Sequence, residues 1–416
     1  MRITKLFKIL FLTFFLYVPY VKLGSQNIFF GYFSFFIPWF LLIKNFKIFL
    51  PKYIINIIYL LLFSFLYILI TTLMNVLIST LPIPDLRGIK LHISMFFIVL
   101  STYAVHKFFL KEYADKAFLE IIYYASFVNI FFIILCYIFP FFSDFFYSII
   151  AVSPKLFTYA ITRYPGFLYD GASYISVYNG IIFILGLIIF YEYKHHFVEK
   201  TFLIISQCLT FASIIFLGRT GIVVVIIGCI FIMIYFIITK KYIKISFYKK
   251  SFILLFSIVL CIYFGVILLI ELNYYWYLEW AFTFLKNIIN NQPHIDSSVT
   301  EIQNNHYFLP DSLWGTLFGL SDYQTTRSAT YTADPGYTIY LHGSGILGLI
   351  FYITIMFYFI YVSTKKKYFS DKKTISFFII FLVVVLLIVN TKDFYIFYPY
   401  PHYLLLILLY CQLKKR

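Results

Sequence analysis

The sequence contains little charge. Charged residues make up 12% of its 416 residues, hydrophobic residues make up 62%, and the mean hydropathy is +0.90. This composition cannot cover a folded domain in water, which excludes a water-soluble protein. Alternating ten-residue segments, the pattern of membrane β-strands, are also missing. We therefore predict an all-α integral membrane protein, in which each span uses about 20 apolar residues.

Several chemical signatures are also missing. The five cysteines lie inside apolar runs and none lies in a long polar loop, so no disulfide framework is predicted. The chain has no HExxH motif, no DxD pair, no nucleophile elbow, no P-loop and no dinucleotide-binding glycine motif. We therefore predict that the working site uses neither a metal nor a cofactor.

Internal repeats and acidic residues are scarce as well. The absence of an evident repeat weakens a secondary-transporter interpretation. The chain has 17 acidic and 33 basic residues, with a net charge of +16. In a soluble protein this excess would indicate a nucleic-acid partner. In a membrane protein the distribution of lysine and arginine indicates topology instead, and no nucleic-acid partner is predicted.

The apolar runs predict one polytopic domain over residues 1–416 with about twelve transmembrane helices. These predicted spans are 9–21, 28–43, 53–73, 92–106, 117–140, 174–191, 201–217, 220–239, 251–272, 337–362, 374–390 and 402–413. Most of the lysines and arginines fall in connections on the side of the N-terminus, which predicts that both termini are cytoplasmic. Two long connections then lie outside, 141–173 and 273–336.

Arg219 lies in an unusual setting. It belongs to Gly218-Arg219-Thr220-Gly221, a connection so short that the side chain stays at the outer membrane boundary. A charge at full membrane depth costs about 2.5–3.5 kcal/mol and less near the interface, so a partner is expected. The partner of Arg219 is either a lipid phosphate, which the side chain reaches by snorkelling, or a bound substrate.

Arg163 lies in a turn shaped by proline and glycine, Thr162-Arg163-Tyr164-Pro165-Gly166, with Asp170 four residues further on. A surface salt bridge with Asp170 is one interpretation. The other interpretation involves Arg219. Two guanidinium groups that face one outer cleft would bind a diphosphate, because each planar group can donate to two phosphate oxygens. Neither guanidinium loses its proton at ordinary pH, so both keep their positive charge.

The longest polar loop meets an apolar helix at Asp334-x-x-Tyr337-x-x-x-Leu341-x-x-x-Gly345-x-x-Gly348. A carboxylate stands at the loop–helix boundary, and the two glycines follow where a neighbouring helix can approach the backbone. A helix start with a glycine packing face is the simpler interpretation of this pattern. Its position after the polar loop makes it a candidate working site.

Other titratable residues are less informative. Glu120 lies inside a predicted span, either as a buried helix partner or as part of a pathway. The pair His195-His196 falls in a predicted cytoplasmic turn and is interpreted as solvated. On the outer side, His294 and His306 are too isolated in sequence to form a metal-ligand set.

The three stretches, in this order and all on the predicted outer side, resemble the O-antigen polymerase family (Wzy-type) within the group of O-antigen ligases and polysaccharide polymerases. Thr162-Arg163-x-x-Gly166 with Asp170 is similar to its arginine–glycine motif. Gly218-Arg219-Thr220-Gly221 resembles its Ser-Arg motif, with Gly218 where serine is frequent. Ligases of the group commonly carry a histidine near the start of the third motif, and Asp334-Pro335-Gly336-Tyr337 has none, which favours a polymerase.

The resemblance implies a membrane-embedded glycosyltransferase of the bacterial inner membrane. It would polymerise undecaprenyl-diphosphate-linked repeat units into O-antigen or a related surface polysaccharide, beside a flippase and a chain-length regulator. The implied roles are diphosphate stabilisation by Arg163 and Arg219, and hydrogen bonding to sugar or phosphate by Tyr337. Asp334 is the first choice as base, with Asp170 and His306 as further bases or substrate contacts. Two alternatives stay open, a ligase that transfers glycan to lipid A-core and a flippase without bond-forming chemistry.

Overall fold

The computed structural model describes residues 3–23, 26–29, 36, 50–78, 85–110, 113, 115–153, 163–168, 172–193, 195–239, 256, 259, 263, 267, 307–323, 326–328, 331–332, 335–365 and 373–412. The predicted polytopic domain contains two compact units. Unit 1 comprises Met1–Ile37 and Phe109–Thr283, and unit 2 comprises Pro38–Phe108 and Phe284–Arg416.

The secondary structure is mainly helical. In chain order the helices are α1 (Ile3–Tyr17), α2 (Lys52–Ile78), α3 (Arg87–Val105), α4 (Asp115–Ile138), α5 (Pro140–Ile149), α6 (Ala172–Glu192), α7 (Phe197–Leu217), α8 (Thr220–Ile238), α9 (Leu313–Phe318), α10 (Gly336–Thr364), α11 (Lys373–Val389) and α12 (Pro399–Gln412). A π-helical turn, His106–Leu110, continues α3. The short strands are β1 (Tyr20–Leu23), β2 (Gln26–Phe29), β3 (Ile150–Ala151), β4 (Thr326–Ser328) and β5 (Tyr331–Thr332).

Seven of the described helices are long and apolar enough to cross a membrane, namely α2, α3, α4, α6, α7, α8 and α10. Helix α11 is apolar but shorter. The prediction of a helical membrane protein is therefore confirmed at this level, while the count of twelve spans stays a prediction. Two predicted spans, 28–43 and 251–272, lie largely outside the described residues.

The first predicted span, 9–21, differs from the structure at its end. Helix α1 stops at Tyr17, and β1 follows. Pro19 disfavours helical backbone at the residue before it, and Val18 adopts a φ of 45°. The proline thus ends the helix four residues early and turns the chain into a small sheet, in which β1 pairs antiparallel with both β2 and β3.

Unit 1 is built around α6. Nearly all of this helix is buried, and it packs against α4, α7 and α8. A helix that is apolar on every side lies either in a protein core or in lipid, and α6 lies among protein neighbours. Lys22 in β1 donates to the carbonyl oxygen of Tyr147 in α5 at 2.7 Å, so the small sheet is tied to the helices of this unit.

Unit 2 packs α2 against α3 and α10, with α11 and α12 completing the core. The inward face of α2 carries polar side chains, including Ser64, Thr72 and Asn75, at helical spacing. Its outward face is apolar and exposed, as at Phe63 and Ile70. A helix that turns polar groups inward and apolar groups outward is suited to a lipid environment.

Candidate functional site

Tyr137, at the end of α4, brings the neighbourhoods of both predicted arginines together. Its hydroxyl donates to the carbonyl oxygen of Phe216 at 3.4 Å and accepts from the backbone amide of Tyr164 at 3.3 Å. Its ring stacks on Phe216 at a centroid distance of 4.6 Å and meets the edge of Tyr164 at 4.8 Å. Because Tyr164 follows Arg163 directly and Phe216 lies three residues before Arg219, both arginines occur at the same end of unit 1.

The turn that carries Arg219 is fixed against the start of α6. The Ser176 hydroxyl bonds to the carbonyl oxygen of Gly218 and accepts from the amide of Gly221 at 3.1 Å. A Cβ on Gly221 would lie 2.3 Å from the carbonyl oxygen of Ser176, so glycine is required for this approach. A Cβ on Gly218 would meet its nearest atom, in Ser176, at 3.4 Å, an ordinary contact. The Cβ of a serine would therefore fit at Gly218.

The turn that carries Arg163 is held by α4 and α5. Gly166 has a φ of +66° and donates its amide to the Tyr147 hydroxyl at 3.1 Å. The next amide, of Phe167, donates to Oδ1 of Asn129 at 2.7 Å. Burial raises the pKa of the Tyr147 hydroxyl well above its usual value, so this group stays neutral as it accepts the bond. Glycine is needed because its φ is positive and a Cβ would overlap Asn129.

Two helix N-termini lie at this same end of unit 1. Helix α8 begins at Thr220, directly after Arg219. Helix α6 begins at Ala172, and its first turn contacts the Arg219 turn, since a Cβ on Gly218 would be 3.6 Å from Cα of Ser173. Each helix start carries about half a positive charge. Two arginines and two helix starts together make this end of unit 1 suitable for an anion.

Sequence reasoning singled out the arginines as candidates and did not single out Tyr137 or Ser176. Tyr137 is one of 40 tyrosines and lies in an apolar run. Nothing in the spacing of Tyr137 within this run indicates that its hydroxyl connects two other segments of the chain. Ser176 follows the predicted arginine–glycine motif closely, and a polar residue in the first turn of a span was the available signal.

We expect Tyr137→Phe to lower the free energy of unfolding of unit 1 by about 1 kcal/mol, the usual net contribution of one hydrogen bond. Tyr137→Ala also removes the stacked ring and should cost about 3–5 kcal/mol. Thermal unfolding of the purified protein in detergent measures both changes. Tyr124→Phe is the matched control, since this tyrosine is also on α4 and its hydroxyl bonds to none of the described residues. Equal melting temperatures for Tyr137→Phe, Tyr124→Phe and the wild type would contradict the bridging role.

The predicted loop–helix junction lies in unit 2, where α10 is broken at Gly345. This residue has φ 66° and ψ −178°, a backbone conformation essentially restricted to glycine. A Cβ there would lie 2.4 Å from the carbonyl oxygen of Leu317. The last turn of α9 and the loop that follows it, residues 317–321, therefore contact the helix backbone directly at the break.

The break frees backbone carbonyls inside an apolar helix, and other groups satisfy them. His342 O accepts from the amide of Leu320 at 2.7 Å, and Gly343 O accepts from the amide of Ser321 at 3.0 Å. Ser344 O accepts from the Tyr67 hydroxyl at 2.8 Å. Irregular backbone at membrane depth requires such partners, because lipid supplies none.

Side chains of α2 and α9 hold this loop in place. Asn75 donates to the carbonyl oxygen of Gly319 at 3.0 Å and accepts from the indole of Trp314 at 3.2 Å. Gly319 has a φ of +86°, and a Cβ on it would overlap the backbone of Ser344. The ring of Tyr323 occupies the space next to Gly343, where a Cβ would lie 2.2 Å from it. The loop 317–321 and the broken helix thus form one closely packed element.

The remaining residues of the third motif have structural partners. The Tyr337 hydroxyl donates to the carbonyl oxygen of Leu387 in α11 at 2.6 Å, and its amide donates to Asn390 O at 3.2 Å. Gly345 is approached by Leu317 in the last turn of α9 and by Gly319 just after it, so a neighbouring helix comes close as the pattern predicted, and Gly348 lies against Ser344 and against Tyr67 of α2. The predicted base Asp334, and the alternatives Asp170 and His306, lie outside the described residues.

One sequence interpretation is wrong. His195, predicted to be solvated, has a side chain only 3% exposed, whereas His196 is exposed. The imidazole folds back so that its Nε2 lies 3.0 Å from the carbonyl oxygen of Ile189. Glu120 is a buried helix partner, 3.5 Å from the Lys116 ammonium one turn earlier.

Comparison of the chain with protein-family models, curated proteins and solved structures finds no significant match in any of the three.

Proposed function

We propose that the protein is a membrane-embedded glycosyltransferase that polymerises undecaprenyl-diphosphate-linked repeat units into O-antigen or a related surface polysaccharide. The observation that carries the proposal is the end of unit 1 where Arg163 and Arg219 lie with the starts of α6 and α8. A lipid-linked diphosphate matches this arrangement in charge, and its membrane anchor matches the apolar helices around it.

The proposed reaction needs charge stabilisation more than redox or metal chemistry. The bond between the anomeric carbon of the growing glycan and its diphosphate oxygen breaks, and the bonding electrons leave with the diphosphate. A hydroxyl on the non-reducing end of the incoming repeat unit forms the new glycosidic bond. Arg163 and Arg219 would stabilise the charge that develops on the diphosphate. The hydroxyl proton passes to a base, for which we propose Asp334, with Asp170 or His306 as alternatives. Tyr337 is proposed to contact sugar or phosphate through its hydroxyl oxygen.

The proposal places the protein in the bacterial inner membrane with both termini in the cytoplasm and the reaction at the periplasmic face. Its proposed partners are the two lipid-linked glycans, membrane lipids, a flippase and a chain-length regulator. The support is the concentration of lysine and arginine in connections on one side of the chain.

Reporter fusions are expected to follow this topology. Fusions at Lys241, at Lys366 and at the C-terminus should report cytoplasm, and a fusion near Asp296 should report periplasm, because lysine-rich connections stay inside. Paired reporters that are active on opposite sides of the membrane provide the measurement. A cytoplasmic signal near Asp296 would invert the sidedness on which the proposed site depends.

The function is tested by the banding of surface polysaccharide in a deletion strain. Loss of a polymerase leaves core carrying one repeat unit. Loss of a ligase leaves bare core with polymer still on its lipid carrier, and loss of a flippase leaves neither product. Purified protein given a defined lipid-linked repeat unit should then produce a ladder of longer glycans. Bare core with accumulated lipid-linked polymer would replace the polymerase proposal with the ligase.

A further inference from the structure

A second cluster of charged and polar side chains lies where α4 begins and where α6 turns into α7. Glu120 comes from α4, His195 from the turn and Glu199 from the first turn of α7. One ligand atom from each of these residues lies within 4.8 Å of the other two. The sequence separates them by up to 79 positions, so folding alone brings them together.

His195 has a geometry that suits a metal ligand. Its Nε2 lies 3.0 Å from the carbonyl oxygen of Ile189, and because a carbonyl only accepts, this nitrogen carries the proton. In the neutral ring Nδ1 is then an unprotonated lone pair. The side chain is 3% exposed and Nδ1 has no hydrogen-bond partner among the described residues. The lone pair therefore faces a carboxylate oxygen, Glu199 Oε2, at 3.6 Å.

A lone pair on His195 Nδ1 that faces the Glu199 carboxylate is unfavourable, because both atoms carry negative charge density. A proton shared between these two atoms does not fit the distance between them. A charge-assisted hydrogen bond would bring nitrogen and oxygen to about 2.7–2.9 Å. The 3.6 Å between these two atoms instead fits two ligands on one ion, since metal–nitrogen and metal–oxygen distances near 2.0–2.2 Å place neighbouring ligands about 3.3–3.6 Å apart. The full set spreads over up to 4.8 Å, so its ligands must draw closer together when the ion binds. A ring nitrogen that donates to a backbone carbonyl is the usual support for a metal-bound histidine.

We propose that Glu120, His195 and Glu199 bind a divalent transition-metal ion, with zinc as the best fit. Imidazole nitrogen selects for such ions over magnesium and calcium, and two carboxylates neutralise the charge. The Lys116 ammonium lies 3.5 Å from a carboxylate oxygen of each glutamate and competes for the same place. Its side chain is one-third exposed, so it can move into solvent when the ion enters.

The role of this ion is to join the start of α4 to the α6–α7 turn. The cluster lies far from the arginines, because Glu120 and Tyr137 are about 25 Å apart along α4 at 1.5 Å per residue. The ion takes no part in the proposed glycosyl transfer, and the inference does not depend on that proposal. By the predicted topology the site is on the cytoplasmic side.

Cobalt is the probe for the test, because bound Co²⁺ absorbs visible light. The full-length protein is purified with a tag that contains no histidine, stripped with a chelator and titrated with Co²⁺. We expect one equivalent per chain with visible absorption bands, and displacement of these bands by one equivalent of Zn²⁺. Zinc should also raise the melting temperature, since a ligand bound only to the folded state stabilises it.

Variants separate this site from adventitious binding. His195→Ala should weaken Co²⁺ binding by at least ~10²-fold, beyond the loss that a supporting residue would cause. His196→Ala, the exposed neighbour, should bind as the wild type does. Glu199→Gln keeps its shape on a side chain that is 45% exposed, so it should fold normally yet lose the zinc-dependent rise in melting temperature. Lys116→Met removes the competing ammonium and should tighten binding several-fold.

Two results would overturn the proposal. The first is wild-type protein that takes up no stoichiometric Co²⁺. The second is Co²⁺ uptake that His195→Ala and Glu199→Gln leave unchanged. Either result would mean that Lys116 is the permanent partner of the two glutamates.

Discussion

Arg219→Lys is expected to lower polymer formation by about 10²–10³-fold, and Arg219→Ala should be nearly inactive. Loss of one donor aimed at developing charge typically has an effect of this size. Lysine keeps the charge but loses the planar fork that binds two phosphate oxygens, and the turn holds its backbone rigidly through Ser176 and Gly221. Arg163→Lys should behave in the same way. The measurement is glycan chain length and rate from purified enzyme and a defined lipid-linked repeat unit.

Snorkelling predicts the opposite result for lysine. An ammonium reaches lipid phosphate as well as a guanidinium does, so a snorkelling arginine tolerates the change almost fully. Two controls are needed at equal membrane abundance. Gly218→Ala alters the same turn at a position with room for a Cβ, and Lys286→Ala removes another predicted outer charge. Near-normal polymer from both lysine variants would contradict the proposal that Arg163 and Arg219 bind the diphosphate through forked contacts. The family resemblance does not depend on that result.

Gly345→Ala is expected to lower the equilibrium constant for folding by at least ~10-fold. The backbone at Gly345 lies in a region that costs other residues about 1–3 kcal/mol, and about 1.4 kcal/mol corresponds to a factor of ten. In addition, a Cβ would lie 2.4 Å from the carbonyl oxygen of Leu317, so the loop 317–321 would have to move. The amides of Leu320 and Ser321 would then lose their bonds to α10.

Size-exclusion chromatography of detergent extracts, followed by thermal unfolding, measures this effect. Gly218→Ala is again the control, because its extended backbone suits any residue and its added Cβ meets only an ordinary contact. A monodisperse Gly345→Ala protein with the melting temperature of the wild type would show that the break in α10 is not required by the fold.

The sequence predicted the type of most elements but not where each one ends. Runs of apolar residues longer than a bilayer's width identify helices whatever they pack against, so α2 and α6 were predictable. The end of α1 was less so, because Pro19 stops the helix through a local steric effect inside an apolar run. Gly345 was singled out by its motif, yet the pattern predicted only close packing, since a positive φ has no signature beyond the glycine itself.

The sequence by itself determined that this protein is helical and membrane-bound, because its few charged residues cannot cover a domain in water and its apolar runs do not alternate as membrane β-strands do. It also singled out Arg219, since a charge at a membrane boundary is costly enough to stand out in an apolar chain, and Arg163, since that residue lies in a turn shaped by proline and glycine. Only the tertiary structure brought those arginines to one end of unit 1 through Tyr137, and only it buried His195 against Glu199. These long-range contacts depend on helix packing and loop geometry. They join residues that are far apart in the chain, so no periodic pattern in the sequence predicts them.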